Sequence, residues 1–161
     1  MLSIAEVYSG EGLLQVRALF REYAATPGVD LGIPDFDQEV AELPGRYARP
    51  DGRLLLAKWE ESAAGCVALR PLEDGACEMK RLYVRPQHRS LGLGLRLVER
   101  VIQEARDAHY ECMRLDSLPI MQTAINLYRR LGFRDIPPYG DNRVAGAVYL
   151  ELPLGGRSNA A

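Results

Sequence analysis

The stretch YVRPQHRSLGLGLRL at residues 83–97 decides how the chain is interpreted. A strand-like apolar segment ends at Val84, a basic loop follows, and a helical pattern begins with Gly92 and Gly94 one residue apart. The start of a helix presents unpaired N–H groups and a partial positive charge, and glycine lets a bulky anion come close to them. Four basic side chains add positive charge around this loop: Arg85, His88, Arg89 and Arg96. The stretch therefore predicts a site for a phosphate or pyrophosphate group.

The spacing within this loop argues against two common phosphate-binding motifs. A P-loop needs lysine and then serine or threonine directly after its second glycine, where Leu95 and Arg96 stand. A dinucleotide-binding fingerprint needs a third glycine at the place of Leu97, and it follows the first strand of a fold rather than the last of three successive strands. Glycine spacing alone leaves open a loop whose glycines only let a strand and a helix pack tightly.

Hydrophobic periodicity on both sides of the loop predicts the remaining elements. Strands are predicted over 2–7, 53–59, 65–71, 76–84, 112–116, 133–136 and 145–152, and helices over 13–27, 36–43, 91–109 and 119–131. In the third helix the predicted buried face consists of Leu91, Leu95, Val98, Ile102 and Ala105. The order is β-α-α-β-β-β-α-β-α-β-β, with a crossover that makes its two flanking strands parallel and the other strands mostly antiparallel. We therefore expect one α/β (α+β) domain around a mixed central sheet.

Composition excludes several classes of protein. The chain has 161 residues, which suits one domain, and its net charge of −2 gives no pull toward nucleic acid or an anionic membrane. The three cysteines lie far apart in apolar strand-like stretches, so they are predicted to be buried thiols of a reducing compartment rather than metal ligands: Cys66, Cys77 and Cys112. No signal peptide or membrane-spanning stretch is recognised. We expect a cytoplasmic protein without a metal.

Two motifs together resemble the GNAT superfamily of N-acetyltransferases. Arg89-x-x-Gly92-x-Gly94 after a strand is similar to its first motif, and AINLYRRLGF at residues 124–133 is similar to its second, a helix ending in Leu-Tyr-x-x-x-Gly-Phe. The motifs occur in the family's order, and the resemblance covers roughly residues 2–153. It implies one N-acetyltransferase domain over 1–155, followed by a disordered tail at 156–161.

The resemblance implies that acetyl-coenzyme A is the cosubstrate. The loop amides would bind its pyrophosphate, at Arg89, Ser90, Leu91, Gly92, Leu93, Gly94 and Leu95. Ser90 stands where glycine is common, and it suits the site unless the backbone needs a positive φ there. The preceding strand, which in this family typically carries a bulge, would pair with the pantetheine arm through Leu82, Tyr83 and Val84. The asparagine that the family often has seven residues before its tyrosine is here Met121, and Asn126 is a nearby candidate on the polar side of the helix.

The resemblance also implies two catalytic residues. Tyr128 matches the tyrosine that protonates the leaving thiolate, although a core tyrosine is the alternative. Glu78 lies eleven residues before Arg89, where some members place a base that acts through water. An ion pair with Lys80 on the same strand face would weaken Glu78 as a base, and a partly exposed strand glutamate is the alternative.

The expected activity is transfer of an acetyl group to a primary amine of a small molecule or peptide. An acyl-coenzyme A-binding sensor without turnover is the alternative, and the presence of Tyr128 favours the enzyme. Three groups of residues are candidates for the acceptor side: Glu22 and Tyr23, residues 30–36, and Tyr139 with Asp141 and Asn142. A homodimer is compatible with the sequence, which carries no direct sign of one.

Overall fold

The computed structural model describes residues 1–28, 35–140 and 144–155, and within them the predicted order of elements is confirmed. The strands are β1 Leu2–Glu6, β2 Arg53–Trp59, β3 Ser62–Pro71, β4 Ala76–Val84, β5 Cys112–Ser117, β6 Arg134–Asp135 and β7 Val148–Pro153. The helices are α1 Gly10–Ala24, α2 Phe36–Ala41, α3 Leu93–Asp107 and α4 Gln122–Arg130. The predicted tail at 156–161 lies outside the described residues.

The strands form one mixed sheet in the order β1-β2-β3-β4-β5-β7-β6. Within the described ranges only β4 and β5 pair in parallel, on either side of the α3 crossover, as the sequence predicts. Their pairing covers only Ala76–Glu78 against Cys112–Arg114, so the two strands separate beyond that point. This separation opens the sheet where β4 runs on toward the glycine loop.

The sheet has a hydrophobic core on each face. One core joins α3 and Phe133 to β2, β3, β4, β5 and β7, and the other joins α1 and Val40 of α2 to β2, β3 and β4. The predicted face of α3 is partly wrong, because Leu91 and Leu95 are exposed. The helix begins at Leu93, and with about 3.6 residues per turn Leu95 lies on the side opposite Leu93 and Leu97, which are buried.

Two helix starts also differ from the predictions. Helix α1 begins at Gly10, after an extended Ser9, so its first turn contains the glycines that the sequence suggested as an interruption. Helix α4 begins at Gln122 rather than Pro119, because Pro119 lies in a turn that the Met121 N–H closes on the carbonyl of Leu118. At the other end of α4, Gly132 has a φ of 106°, which confirms its role as a helix stop.

The cysteines and the helices bear on two further expectations. Cys66 and Cys77 are buried as predicted, and burial raises the pKa of both thiols, whereas Cys112 is half-buried. Among the described helices, none combines the length and the apolar character needed to cross a bilayer.

Candidate active site

A β-bulge in β4 shapes the site. Ala68 of β3 lies opposite Lys80, but Cys66 lies opposite Tyr83, so β4 contains one residue more than its partner. Arg81 occupies this bulge with a φ of 63°. A bulge bends the strand that carries it, which explains why β4 leaves β5 after Glu78. The bulge that the family resemblance implied is therefore present.

The separated strands enclose a cavity. Its wall combines residues of β4 and β5 with one residue of α1, residues of α4 and residues of the turn before α4. These residues are Tyr23, Met79, Lys80, Arg81, Leu82, Leu115, Asp116, Ser117, Leu118, Met121, Ala124 and Tyr128. The cavity thus lies where β4 and β5 have separated.

Tyr128 reaches this cavity from α4. Its ring packs against Phe133 with the ring centroids 5.7 Å apart, and its hydroxyl makes no hydrogen bond to another described residue. Burial raises the pKa of Tyr128, and nearby Tyr23 adds to the shift. Burial also raises the pKa of Tyr23 to about 12, although the charge of Arg81 opposes it. Tyr128 therefore keeps its proton near neutral pH, which is the state that a proton donor needs.

Glu78 is buried, so the partly exposed strand position considered for it is wrong. Arg70 Nε donates to one of its carboxylate oxygens at 2.7 Å, and the Tyr139 hydroxyl donates to the other at 2.7 Å. The predicted approach of Lys80 is present, with its ammonium nitrogen 3.9 Å from Glu78 Oε1. Glu78 itself is not part of the cavity wall, which includes the next two residues of β4, Met79 and Lys80. Its role as a base stays a prediction.

Sequence reasoning missed Asp116 as a member of the site. Asp116 lies near the end of β5 in the cavity wall, with a carboxylate oxygen 3.7 Å from the Lys80 nitrogen. The available signal was a polar residue just beyond the part of β5 that pairs with β4. The sequence does not show where these two strands separate, so this signal could not be used. Arg81 was missed as well, because no glycine marks its positive φ.

The loop after β4 has the donors that a pyrophosphate requires. α3 lacks a side-chain cap, so the N–H groups of its first turn are unpaired within the helix, including those of Leu93, Gly94 and Leu95. A Cβ on Gly92 or Gly94 would meet no atom within 4 Å, so the space before these amides is open. The donor set therefore fits an anionic group.

Ser90 has a φ of 71°. A positive φ is the condition under which serine was expected to suit this position less well than glycine. An L-residue in this conformation costs about 1–2 kcal/mol relative to a relaxed backbone. Its N–H is retained, so the loop keeps its donor at this position. Arg89 is fixed nearby, with Nε donating to the carbonyl of Val84 at 2.9 Å and its guanidinium 6.0 Å from the centre of the Tyr83 ring.

The strand residues predicted for the pantetheine arm take different places. Leu82 lines the cavity, whereas the Tyr83 side chain is buried in the core on the α1 side. The Tyr83 hydroxyl donates to Glu22 Oε1 at 3.4 Å, and Arg85 Nη2 donates to Glu22 Oε2 at 2.6 Å. These contacts tie the end of α1 to the end of β4. The backbone contacts of Leu82, Tyr83 and Val84 with the cosubstrate stay predictions.

The remaining candidates divide into three groups. Tyr23 lines the cavity, and its hydroxyl lies 3.6 Å from the sulfur of Met121. Asn126 is exposed on α4, and its contact with the cosubstrate stays a prediction. Residues 30–34, Asp141 and Asn142 lie outside the described ranges. No group of three or more potential metal ligands occurs among the residues that the structure describes.

Comparison with known proteins defines the class. The acetyltransferase (GNAT) family model matches residues 16–133. An uncharacterized N-acetyltransferase of Schizosaccharomyces pombe is 39% identical over 155 residues, which are 95% of either chain. An IAA acetyltransferase of Azospirillum brasilense is 39% identical over 111 residues, covering 66% of this chain and 71% of its own. A GNAT-family acetyltransferase from Staphylococcus aureus Mu50 has the same fold, with a TM-score of 0.78 at 19% identity over 96% of this chain and 99% of that one.

The protein is thus an acetyltransferase enzyme. It belongs to the GNAT family, whose members use an acyl-coenzyme A cosubstrate and an amine acceptor.

Proposed function

We propose that the protein transfers the acetyl group of acetyl-coenzyme A to a primary amine of a small molecule or peptide. The observation that carries the proposal is the opening between β4 and β5, where Tyr128 lines a cavity whose β4 wall continues into the glycine loop. When bound, acetyl-coenzyme A supplies an activated acetyl thioester. The roles below belong to residues of this chain.

The loop and the strand before it hold the cosubstrate in this proposal. The amides of residues 89–95 bind the pyrophosphate, and the positive end of α3 favours its negative charge. Arg89 and Arg96 lie close enough in sequence to add to this attraction. The backbone of Leu82, Tyr83 and Val84 takes the pantetheine arm, which directs the thioester toward Tyr128.

Tyr128 is the proposed general acid. As the amine nitrogen forms its bond to the acetyl carbon, the carbon–sulfur bond breaks and the Tyr128 hydroxyl gives its proton to the sulfur. The nitrogen then releases its second proton to solvent, and the Tyr128 phenolate takes a proton back from solvent. A thiol has a pKa near 8.5, so the thiolate is already a fair leaving group, and the contribution of the acid is moderate. We expect Tyr128→Phe to lower kcat by about 10- to 1,000-fold.

A carboxylate has to receive the proton of the acceptor ammonium. Removing that proton near neutral pH costs about 4 kcal/mol, because the pKa of an alkyl ammonium is about 10. We propose Glu78, acting through water, since it lies one step along β4 from the cavity wall. Asp116, in the wall itself, is the competing group. The pH dependence of kcat/KM should therefore be compared for Glu78→Gln and Asp116→Asn. The base is the residue whose substitution makes kcat/KM fall more steeply with decreasing pH than it does in the unmodified protein.

The first test is thermal denaturation with acetyl-coenzyme A, free coenzyme A, ATP and NAD in separate samples. A ligand at about 100 times its Kd adds about 2.7 kcal/mol of stability, which is readily measured. Stabilisation by the coenzyme A species alone is the expected result, and stabilisation by ATP or NAD instead would refute the proposal. Thiol release with a panel of amines then separates an enzyme from a sensor, which would bind acetyl-coenzyme A without releasing thiol.

A further inference from the structure

One row of charged side chains crosses the sheet beside the cavity. Arg70 of β3 lies opposite Glu78 of β4, and Glu78 lies opposite Arg114 of β5. Arg114 in turn lies opposite Glu151 of β7, which also faces Arg134 of β6. Residues directly opposite one another point to the same face of a sheet, so these five side chains share one face. We call this set the charged row.

The charged row lies on the face that α1 covers only in part. On that face, the hydrophobic core takes its strand residues from β2, β3 and β4, and the described residues of β5 and β7 contribute none. The Arg70 side chain is 26% exposed and that of Arg114 is 33% exposed. Both guanidinium groups are therefore partly desolvated yet within reach of a ligand.

The row continues into the cavity wall. Lys80 and Asp116 stand two residues beyond Glu78 and Arg114 on the same strands, and both line the cavity. Two residues of a β-strand span about 7 Å. A molecule whose reacting group lies at this wall would therefore extend over the charged row with its other end.

The row has more hydrogen-bond donors than acceptors. Arg70 donates Nε to Glu78 at 2.7 Å, and Arg114 donates Nε to Glu151 at 2.8 Å. The terminal nitrogens of these two guanidinium groups make no hydrogen bond to any residue that the structure describes. Each guanidinium carries five N–H donors in a planar fork that suits a carboxylate or phosphate. Because both side chains are partly exposed, these surplus donors are open to solvent and to an oxygen acceptor of a ligand.

Tyr139 supplies the second hydrogen bond to the Glu78 carboxylate, so the terminal nitrogens of Arg70 and Arg114 are not needed for it. Its hydroxyl donates to Glu78 Oε2 at 2.7 Å, and the Arg114 guanidinium lies 5.9 Å from the centre of its ring. With Arg70 on one oxygen and Tyr139 on the other, the Glu78 charge is partly compensated within the protein. An incoming anion thus meets the arginine forks with the carboxylate between them already hydrogen-bonded.

We propose that the amine acceptor carries an anionic oxygen group that binds the terminal nitrogens of Arg70 and Arg114 while its amine reaches the cavity wall beside Lys80 and Asp116. This inference rests on the proposed acetyl transfer and specifies its acceptor. The span of about 7 Å along the strands fits an amine and a carboxylate separated by several carbons. It exceeds the distance of about 2.5 Å from nitrogen to carboxyl carbon in an α-amino acid.

The test compares acceptors that differ only by the carboxylate. We expect kcat/KM for 5-aminopentanoate to exceed that for butylamine by about 10-fold or more, and glycine to show no such advantage over methylamine. Arg70→Gln and Arg114→Gln should each lower the preference about 10-fold through the acceptor KM, with the KM for acetyl-coenzyme A unchanged. Arg114→Lys should retain part of it, because it keeps the charge and loses the fork. Arg134→Gln, at the exposed far end of the row, is the matched control and should retain the full preference.

Several outcomes would overturn the inference. Equal kcat/KM for 5-aminopentanoate and butylamine is one, and an equal loss for both acceptors in the arginine variants is another. If no amine in a broad panel releases thiol, the proposed function itself fails. The anion site is then judged by thermal denaturation with coenzyme A and 5-aminopentanoate, where stabilisation that disappears in Arg70→Gln supports the site and absence of stabilisation refutes it.

Discussion

Replacing Glu39 of α2 by glutamine tests how the bulge of β4 is held in place. Arg81 donates to both Glu39 oxygens, at 3.0 and 2.9 Å, and the Tyr47 hydroxyl donates to one of them at 2.9 Å. The side chains are almost inaccessible, at 4% exposure for Arg81 and 6% for Glu39. Glu39→Gln keeps the shape of the side chain but leaves the Arg81 charge buried without a counterion. Breaking a buried pair from one side costs about 3–5 kcal/mol.

This loss translates into a large change in thermal stability. For a chain of this size about 1 kcal/mol shifts the Tm by about 2–4 °C, so Glu39→Gln should melt about 6–20 °C below the unmodified protein at pH 7. Tyr47→Phe removes only one of the three hydrogen bonds to Glu39 and should cost about 1.5–3 kcal/mol. The measurement is thermal denaturation followed by circular dichroism or calorimetry.

The effect should depend on pH in a defined direction. Burial by itself raises the pKa of Glu39, but the hydrogen bonds and charge of Arg81 outweigh it and lower the pKa below its ordinary value of 4.5. A lowered pKa in the folded state means that the stabilisation is complete well above 4.5 and is lost as the pH falls through the folded pKa. The difference in Tm between the protein and Glu39→Gln should therefore shrink in acid.

The control for this experiment lies one turn further along the chain. Glu42 is exposed and accepts a hydrogen bond from Gln38, so Glu42→Gln should change the Tm by less than about 2 °C. If Glu39→Gln behaved like Glu42→Gln, or if its deficit stayed constant down to acid pH, the Arg81–Glu39 pair would not hold the bulge as described.

Three further substitutions test the backbone of the site and its surroundings. Ser90→Gly should relieve the backbone strain of the positive φ, but glycine costs a similar amount in unfolded-chain entropy, so the Tm should change little. The Kd for coenzyme A, measured by titration, should stay within about twofold. A much larger Kd would show that the Ser90 hydroxyl contributes to coenzyme A binding. Glu61→Gly relaxes a φ of 72° in the β2–β3 turn at the same entropic cost, so the Tm should change by less than about 2 °C, and a fall of several degrees would contradict this balance. Gly65→Ala would place a Cβ 2.6 Å from the Tyr83 carbonyl oxygen, so it should lower the free energy of unfolding by about 1–3 kcal/mol and raise the KM for acetyl-coenzyme A. An unchanged Tm and an unchanged KM would show that the bulged strand can move to accept the methyl group.

The order of elements was predictable because apolar spacing records it directly. β2 and β4 begin and end at the predicted residues, Arg53–Trp59 and Ala76–Val84, since turn residues bound a compact apolar run in each case. The glycine loop was predictable for a similar reason. Gly92 and Gly94 mark the start of a helix, and the first N–H groups of a helix have no partner within it. Local sequence carries the information in these cases.

Features that depend on distant contacts were not predictable. The burial of Glu78 follows from Tyr139, which lies 61 positions away in the chain. Arg81 has a positive φ and pairs with Glu39, 42 positions away, and no glycine signals this conformation. Asp116 joins the cavity wall only because β4 and β5 separate, which is a property of the strand pair. The error at Leu95 arose differently, because the predicted apolar face included Leu95 instead of Leu93 and Leu97, which lie on the opposite side of the helix.

The bulge divides β4 into two halves with opposite orientation. Before it, Glu78 and Lys80 face the side proposed for the acceptor, and after it Leu82 and Val84 pack toward the α3 core while Tyr83 faces α1. An added residue exchanges the two faces of a strand. In this proposal, one strand can be altered for a new acceptor at its first half without changing the residues proposed to guide the coenzyme at its second. The same arrangement makes β4 intolerant of any insertion or deletion, since a change of one residue would exchange the two sets.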